Sequence, residues 1–158
     1  MRPLAVFDID GVLADVQHRL HRLEHRPPDW AGFFADAVHD EVHPEGVALA
    51  VEAARDCEVA YLTGRPEGCR ADTERWLQEH GLPDGRLVMR RSGDRRPARR
   101  AKPQLLRGLA AGRTVAVVVD DDLEVCDAYA ADGWTVLQAD WADRSAALQR
   151  AQEDEGRT

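Results

Sequence analysis

Lysine is almost missing from this chain: of 21 basic residues, only Lys102 is one. Lysine and arginine are not interchangeable where a compact point charge is needed, so the single lysine calls for a reason. Cysteine is scarce as well. Cys57, Cys69 and Cys126 are odd in number and scattered, with no CxxC or Cys/His spacing. That excludes a disulfide framework and offers no zinc motif. The three read as small buried hydrophobes in a reducing, cytoplasmic setting. No signal peptide and no long apolar run occurs, so neither secretion nor membrane spanning is expected. A phosphate-cradling GxxxxGK[ST] loop is also absent. The net charge of −8 argues against nonspecific binding of nucleic acid by the chain as a whole.

What is present is unevenly placed. Between Arg90 and Arg107 stand Arg90, Arg91, Arg95, Arg96, Arg99, Arg100, Lys102 and Arg107, against the single acid Asp94. The overall charge hides this basic stripe. The 158 residues suit one domain, 1–158. A chain of this size buries roughly 70% of its unfolded surface and needs no staple.

Apolar runs alternate with helical periodicities. Strands are expected at 4–7, 59–62, 86–89, 115–119 and 135–138. Helices are expected at 46–55, 67–80, 103–111 and 123–131, the third opening on Pro103. This alternation predicts an α/β, doubly wound, Rossmann-like fold: a parallel five-stranded sheet with helices on both faces. The first connection is too long for a simple loop, so 15–44 is expected to be a small helical insertion over the site. Its histidines His18, His21 and His25 lack a clean metal spacing and read as a solvated helix face. The tail after Ala142 reads as a helix that frays over 151–158.

Polar residues collect at the strand ends, where open parallel sheets bind ligands. Asp8 and Asp10 follow the first strand and Gly11 follows at once. Two crowded carboxylates repel unless a cation lies between them, and oxygen ligands suit Mg²⁺. Asp and Gly also form ordinary turns. Leu62-Thr63-Gly64-Arg65-Pro66 follows the second strand. It offers a hydroxyl and, before a helix, amides that favour an anion, or simply an N-cap. Asp120-Asp121-Asp122 ends the apolar fourth strand, where unpaired acids are costly. A helix cap explains one or two of them more easily than three.

Together, Asp8-Ile9-Asp10-Gly11, Leu62-Thr63-Gly64-Arg65, Lys102 and Val119-Asp120-Asp121 resemble the haloacid dehalogenase superfamily of aspartate-nucleophile phosphatases, from Leu4 to about Trp141. The run Ser92-Gly93-Asp94-Arg95-Arg96, then Lys102, resembles the Gly-Asp-x-Arg segment of the 3′-phosphatase domain of polynucleotide kinase-phosphatases, with the kinase half absent. Asp122 departs from relatives that often carry arginine there. The resemblance implies that Asp8 attacks phosphorus and that Asp10 serves as acid and base. It implies Mg²⁺ on Asp8, the Asp10 carbonyl and Asp121, with Asp120 directly or through water. Thr63 and Lys102 join the catalytic set, while Gly64, Arg65, Asp94, Arg95 and Arg96 face the substrate. Nucleic-acid 3′ ends are then the expected partner. A small-molecule phosphatase such as a nucleotidase, or a catalytically silent nucleic-acid-binding module, stand as alternatives. The stripe separates the first two. Arginines lining a groove to Asp8 fit a polymer, and arginines paired with the acidic tail fit a small substrate.

Overall fold

The computed structural model describes residues 1–158. Its central sheet has five strands: β1 (Leu4–Phe7), β4 (Glu58–Pro66), β5 (Arg86–Arg90), β6 (Val115–Asp120) and β7 (Val136–Gln138). All four pairings are parallel, in the order β5-β4-β1-β6-β7. Side chains alternate across it with the two-residue strand period. Ala5, Phe7, Val59, Tyr61 and Val119 face one core with Trp76 and Leu77 of α3 (Arg70–Glu79) and Ala50 of α2 (Pro44–Ala53). Leu4, Val6, Ala60, Leu62 and Val118 face the other, with Leu106 of α4 (Ala98–Leu109) and Val125 of α5 (Leu123–Ala131). The doubly wound sheet is therefore as expected. Chain order reverses direction at β1, so the crevice beyond its C-terminal end is the topological switch point.

Three segments differ from the sequence reading. Strand β4 runs on through Thr63, Gly64 and Arg65, all buried. Helix α4 begins five residues before Pro103, which lies inside it. Proline marks a first turn only when nothing upstream is already helical, and here Pro97 opens the helix: its carbonyl accepts from the amides of Arg100 and Ala101. Lys102 consequently sits in the second turn. The third difference is the tail. Instead of fraying, it continues from α6 (Ala146–Gln149) into a π-turn at Arg150–Asp154, with Ala151, Gln152, Glu153 and Thr158 buried.

The first connection holds 3₁₀ turns at Gln17–Glu24 and Asp36–His39 and helix α1 (Trp30–Ala35). A short antiparallel pair, β2 (Ala14–Asp15) and β3 (Glu41–Val42), closes its base. Val16, Leu20, Leu23 and Phe33 of this insertion pack with Leu148 and Ala151 of the tail. This third cluster ties the two segments together above the sheet edge. No helix is long and apolar enough to cross a membrane.

Candidate active site

Asp8, Asp120 and Asp121 each present a carboxylate oxygen, and these oxygens lie within 4.8 Å of one another. Strands β1 and β6 deliver them side by side: Phe7 pairs with Val119, and the Asp8 amide donates to the Val119 carbonyl at 2.9 Å. All three are buried, at 8% exposure or less. Lys102 supplies the one buried cation among them. Its Nζ is 2.7 Å from Asp120 Oδ2 and 3.0 Å from Asp8 Oδ2. A compact ammonium fits between two carboxylates where a planar guanidinium is bulkier, which gives the lone lysine its reason.

One cation for three carboxylates leaves the site short of positive charge. Burial, and then the neighbouring Asp120, hold the Asp8 carboxyl well above its usual value, with Lys102 pulling the other way. Burial and Asp120 push Asp121 up to about 7. Burial also raises Asp120, opposed by Lys102. Burial disfavours the charge on Lys102, yet Asp120 and Asp8 outweigh it and hold its proton firmly.

The residues present fit a divalent cation unevenly. Both Asp120 oxygens are engaged, Oδ2 by Lys102 and Oδ1 by the Asp122 amide at 3.0 Å. Asp121 Oδ1, by contrast, is buried without a hydrogen-bond partner. A side chain on Gly11, which lies at φ +82°, would start 2.1 Å from Asp121 Oδ2, so glycine opens the room this carboxylate occupies. An unpartnered buried carboxylate oxygen is costly unless a cation offsets it. Asp122 has a separate task. It caps α5 by accepting from the Glu124 amide at 3.0 Å, which accounts for the third acid of the run.

Asp10 is treated differently. Its Oδ1 accepts from Arg65 Nη2 at 2.6 Å, Arg65 Nε at 3.0 Å and Arg19 Nη2 at 3.0 Å, while Oδ2 has no partner. Burial opposes its charge, but the two guanidinium groups prevail and hold the carboxyl at about 2. Asp40 completes this network, bonded to Arg19 and Arg65 and 2.7 Å from His18 Nε2. The sequence carries no signal for Arg19 and Asp40. They sit on the insertion, among other charged residues, with no spacing that singles them out.

Thr63 is buried, and its hydroxyl accepts from the Arg65 amide at 3.1 Å. Gly64 lies under the tail, where an added Cβ would meet the Thr158 carbonyl carbon at 2.2 Å. The Gly-Asp-x-Arg segment sits apart from the carboxylate cluster. Asp94 pairs with Arg96 at 2.7 Å, and Arg95 is exposed. Arg90 is the link: fully buried, it donates to the carbonyls of Gly64, Arg96 and Thr158 and lies 3.8 Å from Asp94.

The phosphatase domain of the polynucleotide kinase PNKP is the family whose model matches this chain, over residues 3–143. The chain belongs to that family. It is thus a haloacid dehalogenase-type hydrolase, a class of phosphatases that works through an aspartate nucleophile and generally uses Mg²⁺. No curated protein matches the chain. Among solved structures, the Pnkp1/Rnl/Hen1 RNA repair complex is similar at 24% identity and a TM-score of 0.73, over 90% of this chain and 44% of that one. A haloacid dehalogenase-like hydrolase from Streptococcus pneumoniae is 14% identical, with a TM-score of 0.69, over 97% and 92%. The L-2-haloacid dehalogenase from Xanthobacter autotrophicus is 17% identical, with a TM-score of 0.63, over 95% and 82%. These likenesses show the fold. The PNKP-type chain spans less than half of the RNA-repair chains it resembles.

The electrostatics give a testable pH dependence. Carboxyl groups titrate near 4 in an unfolded chain. Asp121, held at about 7, and Glu153, raised to about 8 by burial and Asp122, favour their neutral forms when folded. The stability they contribute is complete below about pH 4 and is lost as pH rises through about 7 to 8. The metal-free melting temperature is expected to fall between pH 5 and pH 8. Mg²⁺ should remove the part of that fall due to Asp121, by binding the folded state alone. Scanning calorimetry at several pH values, with EDTA and with Mg²⁺, checks this. A flat metal-free profile contradicts the charge deficit.

Proposed function

We propose that residues 1–158 act as one Mg²⁺-dependent phosphomonoesterase domain that removes 3′-phosphates from polynucleotide ends. The observation that carries the reaction type is the buried triad of Asp8, Asp120 and Asp121 with Lys102 between two of them. Asp8 is the nucleophile: its carboxylate attacks phosphorus, the phosphorus–oxygen bond to the leaving group breaks as that oxygen takes a proton, and an acyl phosphate remains on the enzyme for water to hydrolyse. Asp8 and Asp121, with the Asp10 carbonyl, would hold the metal. Asp120, saturated by Lys102 and the Asp122 amide, would act through water. When bound, the ion offsets negative charge between nucleophile and phosphate.

Asp10 handles the proton. Arg19 and Arg65 fix one of its oxygens and leave Oδ2 free. Charged at neutral pH, it is ready to take a proton from the attacking water. An incoming phosphate brings negative charge beside it and raises its proton affinity, which equips the same carboxyl to protonate the leaving oxygen first. Thr63 and the Gly64 amide, in the end of β4, would receive the phosphate oxygens. Phosphoryl transfer rests on positioning and charge, and these residues supply both.

Family membership supports the polynucleotide substrate, as does the likeness to a chain of an RNA repair complex. Arg91, Arg95 and Arg100 are exposed and form no side-chain ion pair, so they remain available to a nucleic-acid backbone. One observation favours the small-molecule alternative: Arg99 pairs with Glu153 of the acidic tail at 2.7 Å, and Arg96 and Arg107 are paired too. The expected result is a higher kcat/KM for a 3′-phosphorylated oligonucleotide than for a 3′-mononucleotide. If three arginines touch phosphates, the advantage should fall with salt at a log–log slope of about −2. Changing Arg91, Arg95 and Arg100 to alanine should erase that slope and spare hydrolysis of a small phosphate ester. Equal kinetics for both nucleic substrates, unchanged in the triple variant, would transfer the assignment to the small-molecule phosphatase.

A further inference from the structure

The catalytic carboxylates are closed off. Asp8 and Asp10 are each 3% exposed, and the crevice that reaches Asp121 beside Arg144, Leu148 and Gln152 holds about 10 Å³, room for one water at most. A phosphorylated end cannot reach Asp8 unless something moves. Over the Gly64 side of the site lies the tail, and its path is specific. The Thr158 backbone rests on Gly64, in the end of β4 assigned above to phosphate oxygens. One residue earlier, the Arg157 guanidinium lies 4.6 Å from the centre of the Trp30 ring. Trp30 is joined to the chemistry by direct contacts: it packs edge-on against Phe33, Phe33 carries Arg19 over its ring at 4.3 Å, and Arg19 holds Asp10. Phe34 stacks against Trp30 with ring centres 6.3 Å apart. A planar cation thus lies on an aromatic face, one residue from a backbone seated on Gly64.

Gly156 and Thr158 are buried there, while Arg157 is only partly covered. Arg157 stacks on Trp30 and its amide donates a hydrogen bond to the Ala151 carbonyl, and Arg90 donates to the Thr158 carbonyl at 3.3 Å. Local opening of such a short segment costs less than unfolding the domain. Resting on the polynucleotide reading above, we propose that the Trp30 face covered by Arg157 is the stacking platform for the terminal base of a 3′-phosphorylated nucleic acid, and that residues 156–158 occupy this subsite until substrate displaces them. Base–aromatic stacking is tolerant of sequence, so the platform grips an end without choosing its base.

The test is equilibrium binding in the Asp8→Asn protein with Mg²⁺, using fluorescent oligonucleotides that end in a 3′-phosphate, a 3′-hydroxyl, or a 3′-phosphate on an abasic last nucleotide. Trp30→Leu, which keeps apolar bulk, is expected to weaken the first probe by about 5- to 150-fold, the stacking contribution expressed as affinity. The abasic probe should lose no affinity, and can only gain from the release of Arg157. Arg157→Ala is expected to act in the opposite direction, tightening the first probe by about 2- to 30-fold as the cation–π contact is removed. An equal loss on the intact and abasic probes in Trp30→Leu, or weaker binding in Arg157→Ala, overturns the platform while leaving the phosphatase reading in place. If the Asp8→Asn protein does not distinguish 3′-phosphate from 3′-hydroxyl, the polynucleotide reading fails and the platform falls with it.

Discussion

Replacing Asp8 with asparagine is expected to abolish phosphate release by many orders of magnitude and to leave the fold standing. Enzymes lower barriers by ~8–23 kcal/mol, and a route that begins with carboxylate attack loses its first step when the attacking oxygen becomes part of an amide. The fold should survive because the substitution is isosteric and because burial and Asp120 already hold the Asp8 carboxyl well above its usual value. Asparagine therefore resembles the neutral form that the metal-free site favours. The checks are steady-state release of phosphate and the melting temperature in EDTA. Turnover near the wild-type level in a folded Asp8→Asn protein contradicts the covalent route.

Lys102→Met has the second largest expected effect, on stability and rate together. Its Nζ stands 2.7 Å and 3.0 Å from two buried carboxylates. Removing one partner of a buried ionic group leaves uncompensated charge and costs about 3–5 kcal/mol. In a chain of this length that corresponds to a fall of about 6–20 °C in melting temperature. The loss should grow as pH rises, since Asp121 and its neighbours then ionise without a cation. Mg²⁺ should restore part of the stability, because it supplies positive charge to the folded state only. Activity should remain depressed by about 10²–10³-fold even with saturating metal, the usual cost of removing one preorganised electrostatic group. Calorimetry with and without Mg²⁺ separates the two losses. A melting temperature equal to the wild type in EDTA would show that Lys102 does not balance the cluster.

Much of this site is readable in the chain, for a physical reason. Strands that end in acids, in Thr-Gly-Arg or in Asp-Asp-Asp place chemistry at one edge of a parallel sheet, and alternation of strand and helix decides which edge. Asp8, Asp10, Thr63, Arg65, Asp120 and Asp121 announce themselves because a buried apolar run makes the polar residues after it conspicuous, and Lys102 because it is the only lysine. Arg19 and Asp40 do not. They lie on the insertion, where arginines, histidines and acids surround them, and only tertiary packing decides that these two turn inward onto Asp10. The start of α4 differs from the sequence expectation because Pro103 resembles a first-turn proline while Pro97 is the residue that opens the helix. The tail departs from its sequence expectation for a related reason. Its acids and glycine describe a solvated end, yet Glu153 finds Arg99, Thr158 finds Gly64 and Arg157 finds Trp30, all partners distant in sequence. The basic stripe divides in the same way. Lys102 and Arg90 are buried framework, Arg96, Arg99 and Arg107 are paired, and the charge open to a partner rests on Arg91, Arg95 and Arg100.

The central claim is that Asp8 carries the phosphoryl group during turnover. Acid quenching of the protein at work on a 3′-phosphorylated oligonucleotide with Mg²⁺, followed by peptide mass spectrometry, tests it most directly. The account predicts one phosphoryl group on the peptide bearing Asp8, removed by hydroxylamine as an acyl phosphate should be, and absent from the Asp8→Asn protein. A phosphoryl group on another residue, or active turnover with none on the protein at any quench time, would contradict it.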